Sequence, residues 1–207
     1  MVETESRKPR FFLPTQRIEA LTDGIFGFSM TLLALNLTLP DTLQGSSIPL
    51  SSLIFGQVHK FENYFFSFFI LAIFWIVLHH QFHWIRGENI WLLLINILML
   101  MFVALMPFSA DVAGDFPDEV IAQFLFTINV MILSLLLLAN WVYATHNRRL
   151  VDEDLGQKTI TLEFRRSLMI PLLSGVAVVT SLLFPPWHIW FYLLLGLVLF
   201  YRTRQRD

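Results

Sequence analysis

Arg17-Ile-Glu-Ala-Leu-Thr-Asp23-Gly-Ile-Phe-Gly-Phe-Ser-Met-Thr31-Leu-Leu-Ala-Leu35-Asn-Leu-Thr-Leu39 is the stretch that decides the fold. Residues 18–39 are long and apolar enough to cross a bilayer, which takes about 20 mostly apolar residues. Yet they include Asp23, Ser29, Thr31, Asn36 and Thr38. An unpaired charge inside a membrane costs several kcal/mol, so polar residues there usually serve a function. The segment follows a basic cytoplasmic arm, residues 1–16, with Arg7, Lys8 and Arg10, and it stops at Pro40-Asp41. It is too long for the core of a cleavable signal and reads as a retained first span.

Outward from it, the hydrophobic pattern predicts five more spans, at about 61–82, 90–108, 120–144, 168–184 and 187–201. The last is short. Of the 207 residues, 56% are hydrophobic and 14% charged. An ordinary soluble domain carries roughly 25% charge, so this chain has too much apolar surface for water alone. With the N-terminus inside and six alternating spans, 13 of the 14 Lys and Arg residues fall on the cytoplasmic side and only Lys60 falls outside. That is the asymmetry that orients membrane proteins. The outer segments hold Asp41, Asp111, Asp115, Asp118 and Glu119 instead. The expectation is an all-α membrane protein with both termini cytoplasmic, a single domain over 1–207, an outer loop at 40–57 and an inner loop at 146–161. Trp84, Trp91, Trp141, Tyr143, Trp187, Trp190 and Tyr201 fall near span boundaries, as an interfacial aromatic belt does.

On a helical wheel, Gly24, Phe28, Thr31, Leu32, Leu35 and Leu39 form one stripe, with Thr38 on its edge and Asp23 on another face. The stripe suits either plain packing or a pore lining. Gly24 and Gly27 permit close helix approach. Asp23 needs a partner, and Arg17 or an inner histidine of the second span (His79, His80, His83) is the geometric expectation; capping a helix in the headgroup layer is the alternative. The absence of cysteine excludes disulfides, thiolate metal sites and a cysteine nucleophile. His79-His80-Gln81-Phe82-His83 looks like a histidine box, but diiron chemistry needs several such boxes, and the chain has six histidines. A single metal on the three clustered histidines lacks a carboxylate to complete it. No enzyme, cofactor, structural metal or nucleic-acid partner is expected.

The first-span residues carry a further signal. Arg17, Leu21, Thr22 and Asp23 with the apolar tail through Leu35 resemble the RxxxFSD signature of the transmembrane protein 175 family, with Leu and Thr in place of Phe and Ser. Trp75 with His79, and Leu105-Met106-Pro107-Phe108, also resemble the family, and the likeness covers the first three spans. The resemblance implies a potassium channel in the plasma membrane of a prokaryote. Four copies would meet so that their first helices line the pore, with no carbonyl-type filter and with apolar constriction rings at Phe28, Leu32 and Leu35. Thr31 matches a threonine of the family pattern, and the Thr38 hydroxyls are placed to contact a partly hydrated potassium ion. Arg17, Thr22, Asp23, His79 and His83 form the implied signature and packing cluster. The competing reading is a small proton-coupled secondary transporter in which Asp23 and the inner histidines relay protons. Against it, the first span contains no proline break, and no second acidic residue sits at midplane.

Overall fold

The computed structural model describes residues 15–38 and 49–183. The basic arm up to residue 14, the Pro40-Asp41 stop and the expected sixth span at 187–201 lie outside the described residues. Apart from one isolated backbone bridge, the described chain is helical: α1 (Gln16–Leu35), α2 (Leu50–Phe55), α3 (Val58–Trp84), α4 (Ile90–Asp115), α5 (Val120–Thr145), a 3-10 turn (His146–Arg148) and α6 (Gln157–Leu183). Five of these, all but α2 and the 3-10 turn, are long and apolar enough to span a membrane. Even the 20 residues of α1 reach about 30 Å at 1.5 Å per residue, the thickness of a bilayer core.

α4 is the hub. It packs on α5, α1 and α3, while α6 packs on α5 and α1 also touches α3. Pro107 sits inside α4, yet the helix continues to Asp115, beyond the expected end at 108. The continuation is held from outside the helix: Asn36 Nδ2 donates to Pro107 O at 2.8 Å, and Gln123 Nε2 donates to Ala113 O at 2.8 Å and Phe116 O at 3.0 Å. Asn36 thus adds a donor at Pro107 O, and Gln123 serves carbonyls at the helix end, where Pro117 has no N–H to give.

Two further boundaries differ from expectation. α6 begins at Gln157, well before residue 168, and so shortens the inner loop. Its first turns carry Glu163, Arg165 and Arg166, which hide them from a hydropathy reading. Packing pulls them into the bundle: Trp141 Nε1 donates to Ile160 O at 3.2 Å, and the buried Glu163 carboxylate accepts from Arg166 Nη1 at 2.7 Å. α1 stops at Leu35, not at 39. The amides of Asn36 and Leu37 close back on Leu33 O and Ala34 O, and the Asn36 side chain is anchored on α4. The expected outer loop 40–57 in turn contains α2.

The two ends of the bundle differ in charge. At the basic end, the α3–α4 and α5–α6 connections meet through an Ile85–Val151 bridge, an Arg86 N–H bond to Leu150 O at 2.9 Å and an Arg86–Asp152 ion pair at 2.6 Å. Asn147 and Arg148 adopt left-handed backbone, φ 52° and 50°. The Arg148 guanidinium fixes that turn by donating to Leu155 O at 2.8 Å and to Glu153 O. At the opposite end, Lys60 pairs with Asp115 at 2.5 Å.

Candidate functional site

The first helix has two unlike faces. Ile18, Thr22, Phe26, Ser29 and Leu33 are buried, spaced three and four apart so that they share one side. Phe28 is 72% exposed, Leu35 69% and Leu32 38%, and Gly24, Gly27 and Thr31 are exposed with them. The stripe read from the wheel therefore faces away from the other described helices. A Cβ built on Gly24 or Gly27 would meet nothing within 4 Å, so neither glycine serves close packing among the described helices. The Thr31 hydroxyl donates to Phe28 O at 2.7 Å and keeps its lone pairs on the exposed face.

Thr38 stands two residues past the helix cap. It is exposed and borders a cavity of about 120 Å³ with Leu37, Ile54, Gln57, Lys60 and Phe61. Because α1 ends at Leu35, Thr38 does not continue the helical stripe on whose edge the wheel puts it.

Asp23 has a different partner from those expected. Trp75 Nε1 donates to Asp23 Oδ1 at 2.8 Å, and His79 stacks on the Trp75 ring with centroids 5.5 Å apart and 25° between planes. The cluster is thus Asp23, Trp75 and His79. His83 instead meets Trp84 edge to face at 4.9 Å, and Arg17 is exposed in the first turn of α1. An indole N–H suits the position because it gives the carboxylate a donor without placing a second charge near lipid. Thr22 is buried with its hydroxyl unpartnered among the described residues.

Sequence reasoning did not single out Glu88, in the α3–α4 connection. Its side chain is buried, with Oε2 unpartnered among the described residues. Burial pushes its carboxyl above the usual carboxylate range; the Arg17 charge pulls it partly back, and Glu19 raises it again. Both neighbours belong to the first turn of α1. A lone Glu beside a glycine in a short loop gives no periodic signal that could have revealed it.

Five long apolar helices of alternating direction, the first with a free face, define a multi-pass membrane protein. Residues 17–107 match the profile of the family described as endosomal/lysosomal potassium channel TMEM175. The chain is 26% identical over 173 residues to a potassium channel of Streptomyces collinus, covering 80% of this chain and 83% of that protein. It is 25% identical over 184 residues to a potassium channel of a Chryseobacterium species, covering 88% and 90%. Its fold matches the crystal structure of a lysosomal potassium-selective channel TMEM175 homolog from Chamaesiphon minutus with a TM-score of 0.76, at 20% identity, over 93% of this chain and 98% of that one. Over residues 17–107 the chain resembles the TMEM175 family, in keeping with the signature residues of the first span.

Proposed function

We propose that the chain is one subunit of a potassium-selective channel in which copies of α1 surround a common axis. The observation that carries this reading is the exposed stripe of α1, apolar at Phe28, Leu32 and Leu35 and hydroxyl-bearing at Thr31. The named relatives are potassium channels, and the family match falls on the spans that contain this stripe. Rings of Phe28, Leu32 and Leu35 form an apolar constriction that gates by dewetting, and no carbonyl filter takes part. Thr31 and, at the outer mouth, Thr38 offer oxygens that replace lost hydration without a fixed charge to trap the ion. Four copies assemble, each with six spans, both termini in the cytoplasm, in a prokaryotic plasma membrane; the basic end of the bundle faces inward.

The test is a reversal-potential measurement on purified protein in liposomes, potassium against sodium. Discrete single-channel currents reversing near the potassium equilibrium potential are expected. Saturating flux that follows a proton gradient, without unitary currents, would replace the channel with the transporter.

A further inference from the structure

Behind the exposed stripe, at the acidic end of the bundle, α1, α3 and α4 enclose a second cavity. Asn36, Lys60, Asn63, Tyr64, Asp111 and Gly114 line it, and its volume is about 10 Å³. That is room for one water-sized body. Asn63 is only 5% exposed, and its Oδ1 has no hydrogen-bond partner. Asn96 Oδ1 and Asn129 Oδ1 are also unpartnered among the described residues, but of these amides only Asn63 lines this cavity, where an occupant can meet it. Asp111 is half-buried, with no hydrogen bond or ion pair among the described residues. Lys60 is shared: its ammonium lies 2.5 Å from Asp115 and also acts on Asp111 within the same lining. Two carboxylates, Asp111 and Asp115, thus share one ammonium beside the cavity. Asn36 gives an N–H to Pro107 O, which leaves its own amide oxygen as a further acceptor.

We propose that this cavity is a binding site for a single, largely dehydrated monovalent cation, potassium or sodium, held by the Asp111 carboxylate and Asn63 Oδ1. A water molecule and a potassium ion are of similar size, but two carboxylates sharing one ammonium favour the cation. A divalent ion is disfavoured, since calcium and magnesium sites collect more oxygen and carboxylate ligands than one carboxylate with a lysine nearby can give. Leu33 and Asn36 border the cavity from the buried side of α1, so the site is separate from the Phe28–Leu35 stripe. An ion there ties the outer end of α1 to α3 and α4.

Thallium, a heavy stand-in for potassium, tests this in crystals of the full-length protein by anomalous diffraction. A peak within coordination distance of Asp111 and Asn63 is expected, and it should vanish in Asp111→Asn while thallium sites elsewhere persist. A cavity that holds only water, or a peak that survives Asp111→Asn, overturns the proposal. Asn63→Asp keeps the test decisive if Asp111→Asn fails to fold. Melting temperature is followed as potassium replaces N-methyl-D-glucamine at constant ionic strength. The added charge should tighten the potassium dependence by about tenfold, and an unchanged dependence overturns the site. Neither readout needs ion conduction, so the channel reading and this one fail separately.

Discussion

α1 and α5 are both apolar spans, but they put their polar residues to opposite uses. About half of the α5 span is buried against 28% of α1. α5 turns Asn129, Asn140, Gln123 and Thr127 inward, where each hydrogen-bonds a neighbouring helix. Asn96 Nδ2 donates to Asn140 Oδ1 at 2.8 Å, Asn140 Nδ2 donates to Gln81 Oε1 at 2.8 Å, and Gln81 Nε2 donates to Ser167 Oγ at 3.0 Å, so that one chain of amides joins α3, α4, α5 and α6. α1 holds Thr22 and Ser29 inward but leaves Thr31 and a row of large apolar side chains outside. The bundle is a scaffold whose polar side chains tie its helices to one another. α1 is an element whose outer face is left open by the other described helices.

The largest expected effect tests the scaffold. Asn140→Leu removes two buried hydrogen bonds and strands the Gln81 oxygen, at a cost of about 2–4 kcal/mol. Thermal melting should drop accordingly, while the potassium-to-sodium permeability ratio of the protein that still folds stays at the wild-type value. A changed ratio would mean that the scaffold and α1 are not separable.

Leu35→Ala should do the reverse. Leu35 is 69% exposed within its subunit, so truncation removes little intrasubunit packing, and the subunit's own stability should move by no more than about 0.5 kcal/mol. Single-channel conductance should rise several-fold or selectivity weaken. If both stay at wild type, Leu35 is not a narrow point.

Trp75→Phe removes the donor to Asp23. Because Asp23 is exposed, the expected loss is about 1 kcal/mol. Asp23→Asn should cost a similar amount, and the double variant no more than either alone, since both act through one bond. The readout is subunit assembly and open probability; additive losses would show that the bond is incidental.

How much of this was legible beforehand follows from what a one-dimensional pattern encodes. The exposed stripe was readable because the faces of a single helix follow from its own spacing, and Phe28, Leu32 and Leu35 fell where the wheel put them. The partner of Asp23 was not, because it depends on how α3 registers against α1: Trp75 reaches the carboxylate, and Arg17 and His83 do not. The end of α1 was misjudged for a related reason. Leu37 and Leu39 continue the apolar run, but Asn36 is drawn to Pro107 O, a contact 71 residues away in sequence. The start of α6 was hidden by charges that packing accommodates.

That early end sharpens the next prediction. Thr38→Ala should change the potassium-to-sodium permeability ratio only slightly, because Thr38 lies beyond the helix beside the 120 Å³ cavity rather than on a rigid turn. A large change would mean that the segment after Leu35 is ordered around the axis in the assembled protein. No change would leave Thr31 as the hydroxyl ring of the reading.

The smallest effect lies where α1 leaves the scaffold at the basic end. Glu88 is buried there, with Arg17 and Glu19 of α1 acting on it, and burial, the largest cause, pushes its carboxyl above the ordinary 4.5. The unfolded chain gives up this proton near 4.5, while the folded chain holds it to higher pH. Stability from this group is therefore complete below that value and is lost as pH rises through the raised one. Glu88→Gln removes the loss, so its melting temperature should exceed that of wild type at neutral pH and converge with it in acid. Arg17→Ala should enlarge the loss, because it removes the one charge that favours the ionised carboxylate. If Glu88→Gln is instead the less stable protein at neutral pH, the Arg17 attraction outweighs burial, and α1 is clamped to the scaffold at this end as firmly as at the other.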